Sequence, residues 1–213
     1  MKTWSPAELR SFLKYVEDDE LYAAWMLAGN SGMRRGEVLG ARWPDLNLAT
    51  NQLCIRQTII SVDYEIVRST PKTPYSRRSI ALDTGTVAAL RAHQVRQNET
   101  KTMVGVAYAD EGLIFSRADG SPIHPDRFTQ IFDKHVKNSG LPRIRLHDLR
   151  HTHATIALEA GVHPKVVSER IGHSSVAFTL DIYSHAIPSM EAEAAETIAH
   201  LVLGDPQDPD GQE

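Results

Sequence analysis

His147-Asp148-Leu149-Arg150-His151-Thr152 is followed by Ile171-Gly172-His173-Ser174 and, ten residues after His173, by Tyr183 in Asp181-Ile182-Tyr183. The pattern predicts a helix over 147–160, stopped at Gly161, with His147 and Arg150 three apart on one face. Pro164 starts a short helix that ends near Gly172, and residues 176–183 form the next, with Tyr183 near its end.

Two upstream segments carry further charge. In Ser31-Gly32-Met33-Arg34-Arg35-Gly36-Glu37 a glycine stop precedes two arginines that begin a helix. Pro71-Lys72-Thr73-Pro74, with Arg77-Arg78, lies in a turn between strands. Taken singly these residues have plain explanations. An arginine at a helix start is usually solvated or paired, a turn lysine is usually surface charge, and a tyrosine near a helix end usually packs. Together they form an inventory for metal-free phosphoryl transfer. Arginine forks can hold two phosphate oxygens at once and neutralise charge redistributed in the transition state. Tyr183 is an oxygen nucleophile, Lys72 an acid for the leaving oxygen, and His147 or His173 a donor or proton carrier.

The rest of the chain reads as one domain, mainly α with a small antiparallel three-stranded β-sheet (an α+β arrangement). Ser5-Pro6-Ala7-Glu8 is a capping box with proline at the first helical position. Helices follow over about 21–28, broken at Asn30-Ser31-Gly32, and from about 34 to before Pro44. Residues 52–82 are β-rich and predict a sheet of about three strands. Asp83 caps a helix to about 97, and Leu113-Ile114-Phe115 reads as a short strand. A helix over 125–138 stops at Gly140 and Pro142. The final helix, over 190–203, has Met190, Ala194, Ile198, Leu201 and Val202 on one face. Residues 204–213 read as a disordered acidic tail.

At 213 residues the chain is long enough to bury a sizeable core, and the one cysteine, Cys54, excludes an internal disulfide. No apolar run is long enough to span a membrane. Net charge is −4, yet seven of the 27 acidic residues lie from Glu191 onward, where there is no Lys or Arg. That leaves 20 acidic against 23 basic groups in residues 1–190, a formal +3. The basic groups concentrate in 68–78 and 134–173, so a local polyanion-binding face is compatible with the negative total.

The order Gly-Met-Arg-Arg-Gly-Glu at 32–37, a lysine in a β-turn, His-x-x-Arg, Gly-His and a downstream tyrosine resembles the tyrosine recombinases of the phage integrase type. The resemblance runs from Trp4 to His185. It implies that residues 1–203 are a recombinase catalytic domain, without the N-terminal core-binding domain that family members normally carry. It further implies that Arg34 and Arg150 grip the scissile phosphate, that Glu37 is the supporting acidic residue, and that Lys72 protonates the leaving 5′ oxygen. His147 matches the first histidine of the second conserved box, and His173 a position held by histidine or tryptophan. Tyr183 is then the nucleophile that gives a 3′-phosphotyrosine. The implied partner is double-stranded DNA, with self-association into a synaptic tetramer through the last helix; the alternative is that this helix packs on its own domain. No cofactor and no metal ion are implied, and the compartment is the cytoplasm of a bacterium or phage-infected cell.

Two other readings compete. His147-Asp148-Leu149-Arg150-His151 approaches the H-E-x-x-H zinc pattern of metallohydrolases, but Asp is shorter than the Glu such enzymes use, and the arginines, Lys72 and Tyr183 go unexplained. A non-catalytic DNA-binding or regulatory relative is the other; a complete catalytic set argues against it.

Overall fold

A computed structural model of the chain describes residues 2–70, 77–184 and 190–203. Lys72 and the acidic tail over 204–213 lie outside the described residues. Helix α1 (Pro6–Tyr15) begins as the sequence predicts: Ser5 Oγ accepts the Glu8 amide at 3.2 Å, and the Glu8 carboxylate accepts the Ser5 amide at 2.7 Å. Helix α2 (Tyr22–Ser31) is apolar on nearly every side and accordingly runs through the interior, with Ala23, Ala24, Trp25, Leu27 and Ala28 all buried. Gly32, at φ 66°, ends it in the left-handed conformation and turns the chain into the short helix α3 (Arg35–Leu39).

The β segment is built differently from a single three-stranded sheet drawn from residues 52–82. Strands β1 (Leu46–Asn47), β2 (Gln52–Cys54) and β5 (Ser79–Ala81) form one antiparallel sheet in the order β1-β2-β5. Strands β3 (Thr58–Val62) and β4 (Glu65–Ser69) form a separate hairpin, closed at Asp63-Tyr64 with both φ angles positive, as a twisted two-residue turn requires. The hairpin leaves the sheet because α3 lets its backbone come close. A Cβ on Gly36 would lie 2.7 Å from the Ile59 carbonyl oxygen, and one on Gly40 2.7 Å from that of Gln57.

After Asp83, whose carboxylate accepts the Thr86 amide at 2.9 Å, helix α4 runs Thr84–Val104, a turn or two beyond the expected end. Gln97 is an anchor within it: its side chain accepts Trp43 Nε1 at 2.6 Å and donates to the Leu113 and Ile114 carbonyls. Those side-chain bonds take up the Leu113 and Ile114 carbonyls, while the Ile114 amide donates to the Ala41 carbonyl; the segment makes an isolated bridge to Arg42 instead of the expected strand. Helix α5 is Pro125–Ser139, α6 Asp148–Glu159, α7 Pro164–Ile171, α8 Val176–Tyr183 and α9 Met190–Leu203.

Two apolar clusters organise the molecule. The larger holds a run of aromatic contacts, with Trp25 stacked on Phe128 at 4.4 Å and Phe12 edge-on to Phe132 at 5.4 Å. Trp4 fastens the N-terminus to it, donating from Nε1 to the Pro142 carbonyl and from its amide to Thr152 Oγ1 on α6. The smaller cluster consists of Ala154, Leu158, Val167, Ile171 and Tyr183, and it joins α6, α7 and α8. Tyr183 is thus both a core side chain and the last residue of its helix. On α9, Ile198, Leu201, Val202 and Leu203 are exposed. Among the described residues no helix is long and apolar enough to cross a membrane.

Candidate active site

The site forms where the start of α3, the start of β5, the first turn of α6, the α7–α8 loop and the end of α8 meet. Arg34 precedes α3 in extended backbone, so its side chain leaves the helix axis and reaches the α7–α8 loop, where Nη2 donates to the Gly172 carbonyl at 3.0 Å. Nη1 donates to Glu37 Oε1 at 2.9 Å. Its neighbour Arg35 turns the opposite way, to Thr129 and the Pro125 carbonyl on α5, which is a structural contact.

Glu37 is the buried hub, 2% exposed. Besides Arg34 it accepts Arg78 on both oxygens, at 3.0 and 2.9 Å, while Arg78 Nε donates to the Arg170 carbonyl at 2.7 Å. Burial pushes the Glu37 carboxyl up, but the hydrogen bonds and charge of Arg78, with help from Arg34, outweigh it and hold the group below the usual carboxylate range. Arg78 belongs to a basic segment visible in the sequence, yet nothing local marks it as a site residue, because its partner lies 41 residues away.

Arg150 enters from α6 and is buried. Nη1 donates to the Gly32 carbonyl at 2.8 Å, whereas Nη2 has no hydrogen-bond partner among the described residues. Burial and then the neighbouring Arg34 charge lower its pKa to about 9, so it is still a cation at neutral pH. Among the described residues, Arg34 and Arg78 thus bond the Glu37 carboxylate and Arg150 feels its charge, so these four groups together carry net positive charge.

Histidines line the other side. His147 stands just before α6, its ring 5.0 Å from that of His151 and nearly perpendicular to it. Burial, then Arg150, lowers its pKa. His173 is buried, shares a 2.9 Å hydrogen bond with Thr179 Oγ1, and lies almost parallel to the Tyr183 ring at 6.4 Å. Burial and then Arg150 bring its pKa to about 4. Tyr183 is fully buried, its phenol pushed up to about 12 by burial, and its Oη lies 2.7 Å from His151 Nδ1. His151 is the second residue that sequence reasoning passed over. Its spacing of four from His147 was visible, but it suggested a zinc pair.

Asp148, the would-be base of that zinc pattern, is engaged otherwise. Its carboxylate accepts the Arg145 amide, Nε and Nη2 at 2.9, 3.1 and 2.9 Å and so fixes the entry to α6. Among the described residues no group of three or more His, Cys, Asp or Glu is placed to hold a metal ion. The structure thus brings together Arg34, Glu37, His147, Arg150, His173 and Tyr183 from the predicted set.

Comparison with known proteins places this arrangement in a family. The phage integrase family model matches residues 3–190. A XerC-like tyrosine recombinase of Caldanaerobacter subterraneus subsp. tengcongensis is 30% identical, the match covering 95% of this chain and 55% of the relative. The ICEBs1 integrase of Bacillus subtilis is 29% identical, again over 95% of this chain and 55% of the relative. This chain thus spans about half the length of the curated relatives it matches. The Tn1549 transposon integrase, solved in complex with transposon right end DNA, shares the fold with a TM-score of 0.76 at 23% identity, over 92% of this chain and 65% of that one. XerA recombinase aligns with a TM-score of 0.73 at 20% identity, over 91% of this chain and 65% of its own. With its match running from residue 3 to residue 190, the chain belongs to the phage integrase family of tyrosine recombinases.

Proposed function

We propose that residues 1–203 are the catalytic domain of a site-specific DNA recombinase that breaks and rejoins strands through a 3′-phosphotyrosine on Tyr183. The observation that carries this reading is the buried Arg150 Nη2, which has no partner among the described residues, in a pocket that also holds Arg34 and the Tyr183 phenol. A buried guanidinium nitrogen without an acceptor is costly, and a phosphodiester oxygen is the acceptor its geometry and charge suit.

In this reading Arg34 and Arg150 hold the nonbridging oxygens, and Glu37 keeps Arg34 in place. His147 and His173 donate to the phosphate or carry protons. Lys72 protonates the leaving 5′ oxygen. A 5′-hydroxyl from another strand reverses the step, so the bond energy is conserved and neither a metal nor a nucleotide is required. Because Tyr183 is covered, docking of the duplex must open the pocket before attack. The substrate is double-stranded DNA; the exposed apolar residues of α9 suit assembly of protomers on it, and the setting is the bacterial or phage-infected cytoplasm.

The test is covalent trapping on nicked duplexes drawn from a pool of candidate sites, in excess EDTA, with wild type beside Tyr183→Phe. The expected result is a protein–DNA adduct on a denaturing gel, absent from the mutant. An adduct that survives Tyr183→Phe refutes the nucleophile, and one abolished by EDTA refutes the metal-free chemistry. DNA binding with no adduct on any duplex favours a non-catalytic relative.

A further inference from the structure

We propose that His151 is a catalytic residue in this site, the proton acceptor for the Tyr183 phenol, leaving His147 to serve the phosphate. The inference rests on the reading of Tyr183 as nucleophile. The geometry is direct: His151 Nδ1 lies 2.7 Å from Tyr183 Oη, and no hydrogen bond joins His147 to that oxygen among the described residues. The imidazole stands one turn beyond His147 on α6, beside Arg150, and meets the end of α8 where Tyr183 is held by the small apolar cluster.

The surroundings fix which way the hydrogen bond runs. His151 faces Asp148 and Arg150 on its own helix, Arg145 and His147 just before it, His173 from the α7–α8 loop and Tyr183 from α8. Asp148 favours the charged imidazole, but its carboxylate is taken up by Arg145. Burial, then His147 and the arginines, bring the His151 pKa to about 4, so the ring is neutral at pH 7. A buried neutral phenol needs an acceptor for its proton, and a neutral imidazole with its own proton on Nε2 offers Nδ1.

The step balances as follows. As Tyr183 Oη bonds to phosphorus, the Oη–H bond breaks and the proton passes to Nδ1, giving an imidazolium. The P–O5′ bond breaks, and the 5′ oxygen takes its proton from an acid, the Lys72 ammonium in the reading above. In rejoining, the imidazolium returns the proton to the departing phenolate. In the free domain the phenol, at about 12, does not give up its proton to this imidazole. A bound phosphodiester changes the balance. Its negative charge offsets the arginines that depress the imidazole, while bond formation to phosphorus makes the phenol proton acidic.

The experiment is single-turnover cleavage by His151→Asn and His151→Ala, on ordinary nicked duplexes and on duplexes with sulfur at the bridging 5′ position. A thiolate leaves without being protonated, so the sulfur substrate relieves a missing acid but not a missing base. Asparagine places an oxygen near Nδ1 and keeps the hydrogen bond without accepting the proton. We expect His151→Asn to bind DNA and melt like wild type, to cleave on the order of 10²-fold or more slowly, and to stay slow on the sulfur substrate. Its rate should also lose the fall that wild type shows as the pH drops and His151 is protonated. Added imidazole should restore part of the His151→Ala activity, which decides the matter even if the asparagine variant is unstable. Wild-type rates with an intact acid limb, full recovery on the sulfur substrate, or failure of imidazole to rescue overturns the inference while leaving Tyr183 as nucleophile. Absence of any Tyr183-dependent adduct from wild type sinks the nucleophile reading, and this inference with it.

Discussion

The Glu37 carboxylate and the Arg78 guanidinium meet face to face, Oε1 to Nη1 at 3.0 Å and Oε2 to Nη2 at 2.9 Å, with less than a tenth of either side chain exposed. Such a fork is rigid because both hydrogen bonds must break before either group can turn. It ties α3 to the start of β5, and through the Arg78–Arg170 contact it reaches the end of α7. Arg34 borrows its orientation from the same carboxylate.

Replacing Glu37 by glutamine leaves Arg78 buried with no counter-charge. Breaking a buried pair from one side typically costs about 3–5 kcal/mol. Urea titration of Glu37→Gln should show a lower midpoint with the slope unchanged, and cleavage should fall because Arg34 keeps its Gly172 contact but loses the carboxylate that orients it. An unchanged midpoint would mean that water, not the carboxylate, already satisfies Arg78.

Arg150→Lys tests the orphan guanidinium nitrogen. A lysine ammonium can replace the bond to the Gly32 carbonyl or reach the pocket, but it lacks the planar fork to do both. Cleavage by this variant should drop roughly 10²-fold or more, with duplex affinity in a shift assay changed far less. A matching loss in both would place Arg150 in general DNA binding instead.

Gly172 combines a left-handed φ of 70° with a Cβ position only 2.7 Å from Arg78 Nη1, and its carbonyl receives Arg34. Alanine there pays the backbone strain, about 1–2 kcal/mol, and also pushes Arg78 off Glu37. Gly161 is the control: its φ is 77°, but a Cβ there meets nothing within 4 Å. Gly161→Ala should therefore lose only the strain and keep its cleavage rate, while Gly172→Ala loses more stability and most of its activity. Equal effects would show that the contact with Arg78 is immaterial.

What the sequence made legible follows the range of the physics involved. The Ser5 capping box, the Gly32 stop, the Asp83 cap and the limits of α8 are set by neighbours within a few residues, and each stands where the sequence places it. The motif order named Arg34, Glu37, His147, Arg150, His173 and Tyr183 together, and the fold gathers their side chains in one place. The separation of the β3–β4 hairpin from the sheet goes with the close approach of α3, and at 113–114 two backbone carbonyls are taken up by Gln97 from a distant helix where a strand partner was expected. Arg78 and His151 are drawn to Glu37 and Tyr183 by contacts with partners 41 and 32 residues away. No local pattern reports such pairings.

The histidines also predict how the fold responds to acid. His151, His153 and His173 all sit at about 4, each lowered first by burial and then by neighbouring positive charge. In the unfolded chain a histidine takes its proton near pH 6.5. The folded pKa lies below the unfolded one, so the folded state binds fewer protons across this window. Stability is therefore complete above about pH 6.5 and drains away as the pH falls toward 4, by at most about 4 kcal/mol per pH unit when all three contribute. Glu37 and Asp148, held low by their arginines, extend the loss below the unfolded carboxylate range near pH 4. His153 separates the effect from catalysis, since its Nε2 accepts Arg170 Nε at 3.1 Å, whereas the Tyr183 phenol is bonded to His151. His153→Gln keeps a polar group for Arg170 but cannot titrate. Denaturant midpoints taken at pH 7, 6 and 5 should fall steeply for wild type and about a third less steeply for His153→Gln. Wild-type midpoints that stay level from pH 7 to pH 5 would mean these imidazoles gain protons in the fold as readily as in the open chain.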